Sequence, residues 1–277
     1  MKLWALSLLS ASVLSVISCQ KTEIIEIKPD TTSLAPPVSG YFQKNVLIED
    51  YTGTWCGNCT RVAWAIEETK DASNNVVSVA IHNGNDPYHY AEIEPLKNLV
   101  FPGVNSLALP LSRLNRKTVW TFPETSNIQQ AIDLTSNNTT LGLAMSSTVA
   151  NGQIDLEVRT RFLEDYSNLK LVVYLLEDHL LYNQRNYITE LYGGLPVIPN
   201  FEHNHVLRAS LTNIVGEPLE GTNRNATVIR NFSIPVPGNI ANANNISFVA
   251  FVTDANNAAL NARASVANED QNFQENP

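Results

Sequence analysis

Cysteine is scarce in this sequence: three in 277 residues, at Cys19, Cys56 and Cys59. That count excludes a disulfide-dense scaffold, and no second cysteine pair exists to complete a zinc site. Basic residues are also few. The chain carries 18 Lys and Arg against 27 Asp and Glu, a formal net charge of −9, with no basic run. Such a chain has no long-range attraction for a phosphate backbone, so nucleic acid is excluded as an expected partner. No phosphate loop or catalytic triad is visible. What is present is ordinary globular material, 44% apolar and 16% charged, in a chain long enough to bury a sizeable core.

The N-terminal segment has its own logic. Met1 and Lys2 make a short basic start, and residues 3–17 are apolar or small without further charge. This is a signal-peptide core, too short for the roughly 20 residues that span a bilayer. It ends in Val16, Ile17, Ser18 and Cys19, which resembles a bacterial lipobox. The expectation is a signal peptide over residues 1–18 and a lipidated Cys19, which accounts for the odd thiol; an ordinary cleaved signal is the alternative. Acyl chains there would hold the protein to a membrane, each buried CH₂ adding about 0.8 kcal/mol. Residues 19–40 contain Pro29, Pro36 and Pro37 without apolar periodicity. They read as a tether able to span on the order of 60 Å.

The chemistry-bearing motif follows. Val46, Leu47 and Ile48 predict a buried strand running out through Glu49, Asp50 and Tyr51. Thr52, Gly53 and Thr54 turn the chain, residues 56–69 predict a helix, and residues 76–81 predict a second strand. A CxxC pair at the start of a helix between two strands is the context of a redox disulfide. Unpaired N–H groups and the positive end of the helix dipole favour a thiolate at Cys56, the expected outer, attacking sulfur. Cys59, one turn on, is the expected resolving thiol. A structural disulfide and half of a zinc site are the competing readings. Trp55, Gly57, Asn58 and Leu109 are expected to line a substrate groove.

These features resemble the thioredoxin superfamily. That resemblance implies a buried carboxylate six residues before the first cysteine, where Asp50 stands, acting as proton acceptor for the resolving thiol. It also implies a cis-proline facing the disulfide, for which Pro110 is the candidate. From the residues alone Asp50 could equally be a strand-end turn former, and Pro110 an edge-strand proline. Asn58 departs from the proline common before the second cysteine, which bears on redox tuning. Between the strand and Pro110, residues 82–106 form a long insertion expected to cover part of the site. His82, at its start, is expected to be a solvated loop residue. Residues 114–121 and 123–134 would close the unit as a strand and a helix.

From residue 141 the periodicity changes. Residues 153–162 alternate apolar and polar, as do 169–176, 205–211, 226–234, 246–253 and 258–266, separated by Asn, Gly and Pro clusters. Six or seven such strands predict an antiparallel, immunoglobulin-like β-sandwich. The expected organisation is an α/β thioredoxin-like domain over residues 41–137 followed by the all-β domain over 138–277. His203 and His205 would share one face of an extended strand and could hold a metal, with hydrogen bonding as the default. No metal and no cofactor is expected.

Taken together, the lipobox, the stretch from Glu49 to Cys59, and weaker segments around Pro110 to Arg116 and His203 to Arg208 resemble the twenty-eight-kilodalton outer-membrane lipoproteins of Bacteroidetes. The resemblance implies an outer-membrane lipoprotein, periplasmic or surface-facing, anchored through Cys19. The functional expectation is thiol–disulfide exchange on protein thiols or disulfides of the envelope. A surface adhesin or binding protein, with the CxxC as a structural staple, is the alternative.

Overall fold

The computed structural model describes residues 26–27, 31–34 and 40–276. The signal peptide and Cys19 lie outside the described residues. The labelled elements are strands β1 (Val46–Thr52), β2 (Val76–His82), β3 (Leu111–Leu114), β4 (Leu141–Ala150), β5 (Gln153–Phe162), β6 (Lys170–Glu177), β7 (Leu180–Arg185), β8 (Val197–His203), β9 (Val206–Ser210), β10 (Ala226–Pro235), β11 (Ile246–Thr253) and β12 (Ala259–Val266), with helices α1 (Thr60–Ala72), α2 (Glu94–Val100) and α3 (Ile128–Ile132).

Strand β1 is buried along its whole length. Its alternation sends Val46 and Ile48 toward α1 and Leu47 and Tyr51 into a second apolar layer. Helix α1 buries Val62, Ala65, Ile66 and Thr69, the three-and-four spacing of one helical face. It ends at Ser73, whose extended backbone leaves the helix while its N–H still reaches Thr69 O. Strand β2 pairs parallel with β1, Asp50 opposite Ala80 and Thr52 opposite His82. On the other side β3 pairs antiparallel with β1, Tyr51 opposite Leu111. Strand, CxxC turn, helix and parallel strand, closed by an antiparallel strand, form a thioredoxin-like arrangement.

The second half does not stand apart from it. Strand β9 joins the free edge of β2 in parallel, through Val206 opposite Ala80, and continues antiparallel into β6, β11 and β12. One nine-stranded mixed sheet therefore runs through both halves. A separate antiparallel sheet of β4, β5 and β10 faces β6 and β11 across a core including Leu156, Val158, Phe232, Phe248 and Val173. Two pieces of the segment read as a tether, Glu26–Ile27 and Thr31–Leu34, pair with β10. That part of it is held on the sheet.

Several local expectations are corrected. The helix begins at Thr60 with Cys59 as its N-cap, so Cys56 lies one turn before it. The strand expected over 114–121 is instead β3 plus Thr118–Val119, because Asn115 and Arg116 take positive φ and turn the chain. The helix expected over 123–134 is a 3-10 turn, Glu124–Ser126, followed by the short α3. The hairpin of β7 and β8 was not anticipated.

Candidate functional site

The end of β1 delivers the CxxC. After Thr52 the chain turns, the Cys56 N–H bonding to Gly53 O at 3.0 Å and the Cys59 N–H to Cys56 O at 3.2 Å. Cys56 and Cys59 are joined in a disulfide with Cα atoms 5.4 Å apart. Asp86, from the insertion, holds the turn in place. Its Oδ2 accepts from the Thr54 N–H at 2.6 Å and lies 3.1 Å from His82 Nδ1, while Oδ1 accepts from the Tyr88 N–H at 2.8 Å. Burial works against this charge, but the bonds and charge of His82 and the two amides win, holding the carboxyl below its ordinary range. His82 is thus no solvated loop histidine. It ends β2, buried, because its Nδ1 has a carboxylate partner.

Over the CxxC lies the hairpin β7–β8, whose strands pair from Leu180 opposite His203 to Arg185 opposite Val197. It is fastened by main-chain bonds. The Arg185 N–H donates to Thr54 O at 2.8 Å and the Tyr187 N–H to Gly57 O at 2.7 Å. Gln184 Nε2 donates to Cys56 O at 3.0 Å, and Thr60 Oγ1 to Asn186 Oδ1 at 2.9 Å. The Tyr187 ring sits so close that a Cβ on Gly57 would meet it at 2.4 Å. Of the expected groove residues, Trp55 and Asn58 are exposed and Leu109 half-buried, while Gly57 is covered. Cys56 is 4% exposed and Cys59 1%. The expected open, outer sulfur is therefore corrected: the hairpin buries both.

Behind the disulfide is a cavity of about 370 Å³, between the sheet, α1 and the hairpin. The alternation of β1 and β2 turns Asp50, Thr52, Ser78 and His82 toward it, a polar patch on a sheet face that is otherwise apolar under α1. Cys59 lines the same cavity. The Asp50 carboxyl is fully buried and its pKa is raised well above the ordinary value, by burial first and then by the nearby Glu124 charge, with Arg61 and Thr52 opposing. From the hairpin side comes His203, its ring 5.3 Å from that of His82. Burial, then the His82 field, pushes His203 down to about 3, so the ring is neutral.

Residues 103–271 match the family described as outer membrane protein Omp28. The chain belongs to that family. The Omp28 match takes in Pro110, β3, the hairpin and His203, and it leaves out Asp50 and the CxxC. HBP35 of Porphyromonas gingivalis has a similar fold, with a TM-score of 0.61 at 18% identity over 84% of this chain and 78% of that one. No curated protein matches the chain.

Within the Omp28 segment, the Leu109–Pro110 peptide is cis. Pro110 precedes the Leu111–Tyr51 pair and so stands level with Thr52, beside the CxxC turn. His203 and His205 do not share a strand face, because His205 has φ 57 and interrupts the extended chain. His205 turns to Asp178, 3.0 Å from its Nδ1, and its Nε2 contacts Lys70 Nζ. Among the described residues no group of three or more His, Cys, Asp or Glu is placed to hold a metal ion. No helix among them is long and apolar enough to cross a membrane.

The hairpin is what sequence reasoning missed. The signals were two β-prone runs, Leu180 to Tyr182 and Val197–Ile198, flanking Gly193 and Gly194.

Proposed function

We propose that this Omp28-family protein carries a thiol–disulfide exchange centre at Cys56–Cys59, held at the outer membrane through a lipidated Cys19. The observation that carries the redox reading is Asp50. A buried carboxyl that holds its proton more tightly than an ordinary one, on the cavity wall it shares with Cys59, is a local proton store for opening the disulfide. When an incoming thiolate breaks the S–S bond, one sulfur joins the incoming group and the other leaves as thiolate. Attack from the cavity side falls on Cys59, which joins the incoming group while Cys56 leaves as the anion; when a second thiolate then releases Cys59, Asp50 supplies its proton. The second half, read as an immunoglobulin-like sandwich, would position the hairpin over this centre. Protein substrates reach the sulfurs only when the hairpin lifts.

A second reading is favoured by the burial of both sulfurs. In it the disulfide is a staple beneath a fixed hairpin, and the protein works as a surface binding module. Equilibration of the native protein in thiol/disulfide buffers, with quenching and mass analysis, separates the two. The exchange reading expects reversible opening without loss of the folded signal. A disulfide that opens only in denaturant would overturn it in favour of the staple. The anchor is tested separately: Cys19→Ser should move the protein from the membrane to the soluble fraction, and unchanged membrane retention would refute lipidation there.

A further inference from the structure

We infer that the substrates of this centre are low-molecular-weight thiols bearing an amine, which enter the cavity behind the disulfide while the hairpin bars proteins. This rests on the exchange reading above and adds the substrate class to it.

Size comes first. With the hairpin in place Cys56 is 4% exposed and Cys59 1%, so a folded protein has no sulfur to reach. The cavity of about 370 Å³ borders Cys59 from the other side, and a volume in that range holds a small organic molecule. Charge comes second. The ionisable acids of the lining are Asp50, Glu67 and Glu202, no Lys or Arg lines it, and its His82 and His205 each face a carboxylate of their own, Asp86 and Asp178. Glu67 and Glu202 are exposed and are neighboured by Lys70 at 3.9 Å and His179 at 2.8 Å; the carboxylates stand on the lining and these partners off it, so the rim favours a cation over an anion.

Hydrogen bonding supplies the third argument. Asp50 Oδ1, Ser78 Oγ and His203 Nε2 are buried without a hydrogen-bond partner, and all three residues line this one cavity. Buried polar atoms are nearly always satisfied. An alkylammonium has three N–H donors and no acceptor, and these three atoms can all accept: a carboxyl oxygen, a hydroxyl and a neutral imidazole nitrogen. An amine can donate to each of the three, whereas an anionic group could accept hydrogen bonds from the carboxyl and the hydroxyl but none from the neutral His203 nitrogen.

The chemistry balances. The thiolate of the bound aminothiol attacks Cys59 Sγ, forming a mixed disulfide and expelling Cys56 as thiolate. Cys56 is the leaving group because Cys59 is the sulfur that borders the cavity and takes the attack. A second thiolate attacks the ligand sulfur of the mixed disulfide, releasing the small disulfide and Cys59. Two thiols are oxidised to one disulfide, the protein disulfide is reduced to two thiols, and the two thiol protons end on Cys56 and Cys59, relayed in part by Asp50.

The test uses the intact oxidised chain. Opening of Cys56–Cys59 is timed by alkylation and mass spectrometry with cysteamine (cationic), 2-mercaptoethanol (neutral) and 2-mercaptoethanesulfonate (anionic). Rates are normalised to thiolate concentration and to each thiol's rate with a small model disulfide; insulin reduction is followed in parallel. The expected result is cysteamine about tenfold faster than the sulfonate at low salt, with insulin not turned over. Glu67→Gln, an exposed change that leaves the core intact, should shrink the charge preference several-fold, and His203→Gln should slow cysteamine alone. Equal normalised rates for cation and anion, or insulin turnover matching cysteamine, would overturn the substrate class and leave exchange standing. If no thiol opens the disulfide in the native protein, the exchange reading falls, and this inference with it.

Discussion

The Tyr187 amide donates to the Gly57 carbonyl at 2.7 Å, while the Tyr187 ring fills the space where a side chain at position 57 would stand. A residue far along the chain thereby uses the glycine between the two cysteines as its seat. Glycine is required there by the approach of the ring.

Gly57→Ala should unseat the hairpin. A Cβ 2.4 Å from the Tyr187 ring forces the ring or the loop to shift, and the main-chain bond beside it weakens. Dithiothreitol should then reduce Cys56–Cys59 on the order of tenfold faster than in the parent, matching about 1.4 kcal/mol of easier local opening. Timed alkylation measures this, and an unchanged rate would show that the hairpin does not govern access.

Asp50→Asn should stabilise the protein at neutral pH by on the order of 1 kcal/mol. The carboxyl's folded pKa is raised, by burial first, so the unfolded chain loses this proton at lower pH than the folded one. Stability conferred by the parent carboxyl declines as pH rises above the ordinary carboxylate range, and the substitution removes that decline. Below the ordinary range the two proteins should denature alike. Urea titrations across pH test the sign.

Asp178 predicts the reverse. Burial opposes its charge, but hydrogen bonds and charge from His205, a backbone bond and Ser247 lower it to about 2. The stability it adds is present above the unfolded value near 3.8 and is lost as pH falls from there through about 2. Asp178→Asn should cost about 2 kcal/mol at neutral pH and flatten the acid limb of the stability curve. Equal acid limbs would contradict this.

Arg116→Leu should be among the most damaging single changes. Its guanidinium sits 3.0 Å from Glu49 and 2.7 Å from the Tyr174 hydroxyl, all buried. Removing it leaves the Glu49 charge without compensation, a loss of about 3–5 kcal/mol. Thermal melts should show it, with Glu49→Gln in the Arg116→Leu background recovering part of the loss.

Local signals were readable; distant pairings were not. The apolar run Val46 to Ile48, the helical spacing of Val62 and Ile66, and the alternation within β5 carry their own periods, so these elements and the CxxC between them could be located directly. Strands β6, β10, β11 and β12 fell within a residue or two of their expected spans for the same reason. Helix α2 was hidden inside an insertion, with only Pro95 near its start as a cue. His82 looked like a loop residue because its partner Asp86 acts through three-dimensional geometry. The hairpin escaped because Leu181, Tyr182 and Val197 are exposed and break the usual alternation. The hairpin that bonds to Cys56 O and Gly57 O lies more than a hundred residues along the chain, so inspection of residues near the CxxC could not foresee this cover.

The rung between Val206 and Ala80 makes the two halves interdependent. A truncated chain ending near residue 137 would lose β9 and bare the outer edge of β2, a row of unpaired amides and carbonyls ready to recruit any extended neighbour. Such a fragment should self-associate, and the intact protein should melt in a single cooperative step. The polypeptide cannot be cut between its two halves without wounding both.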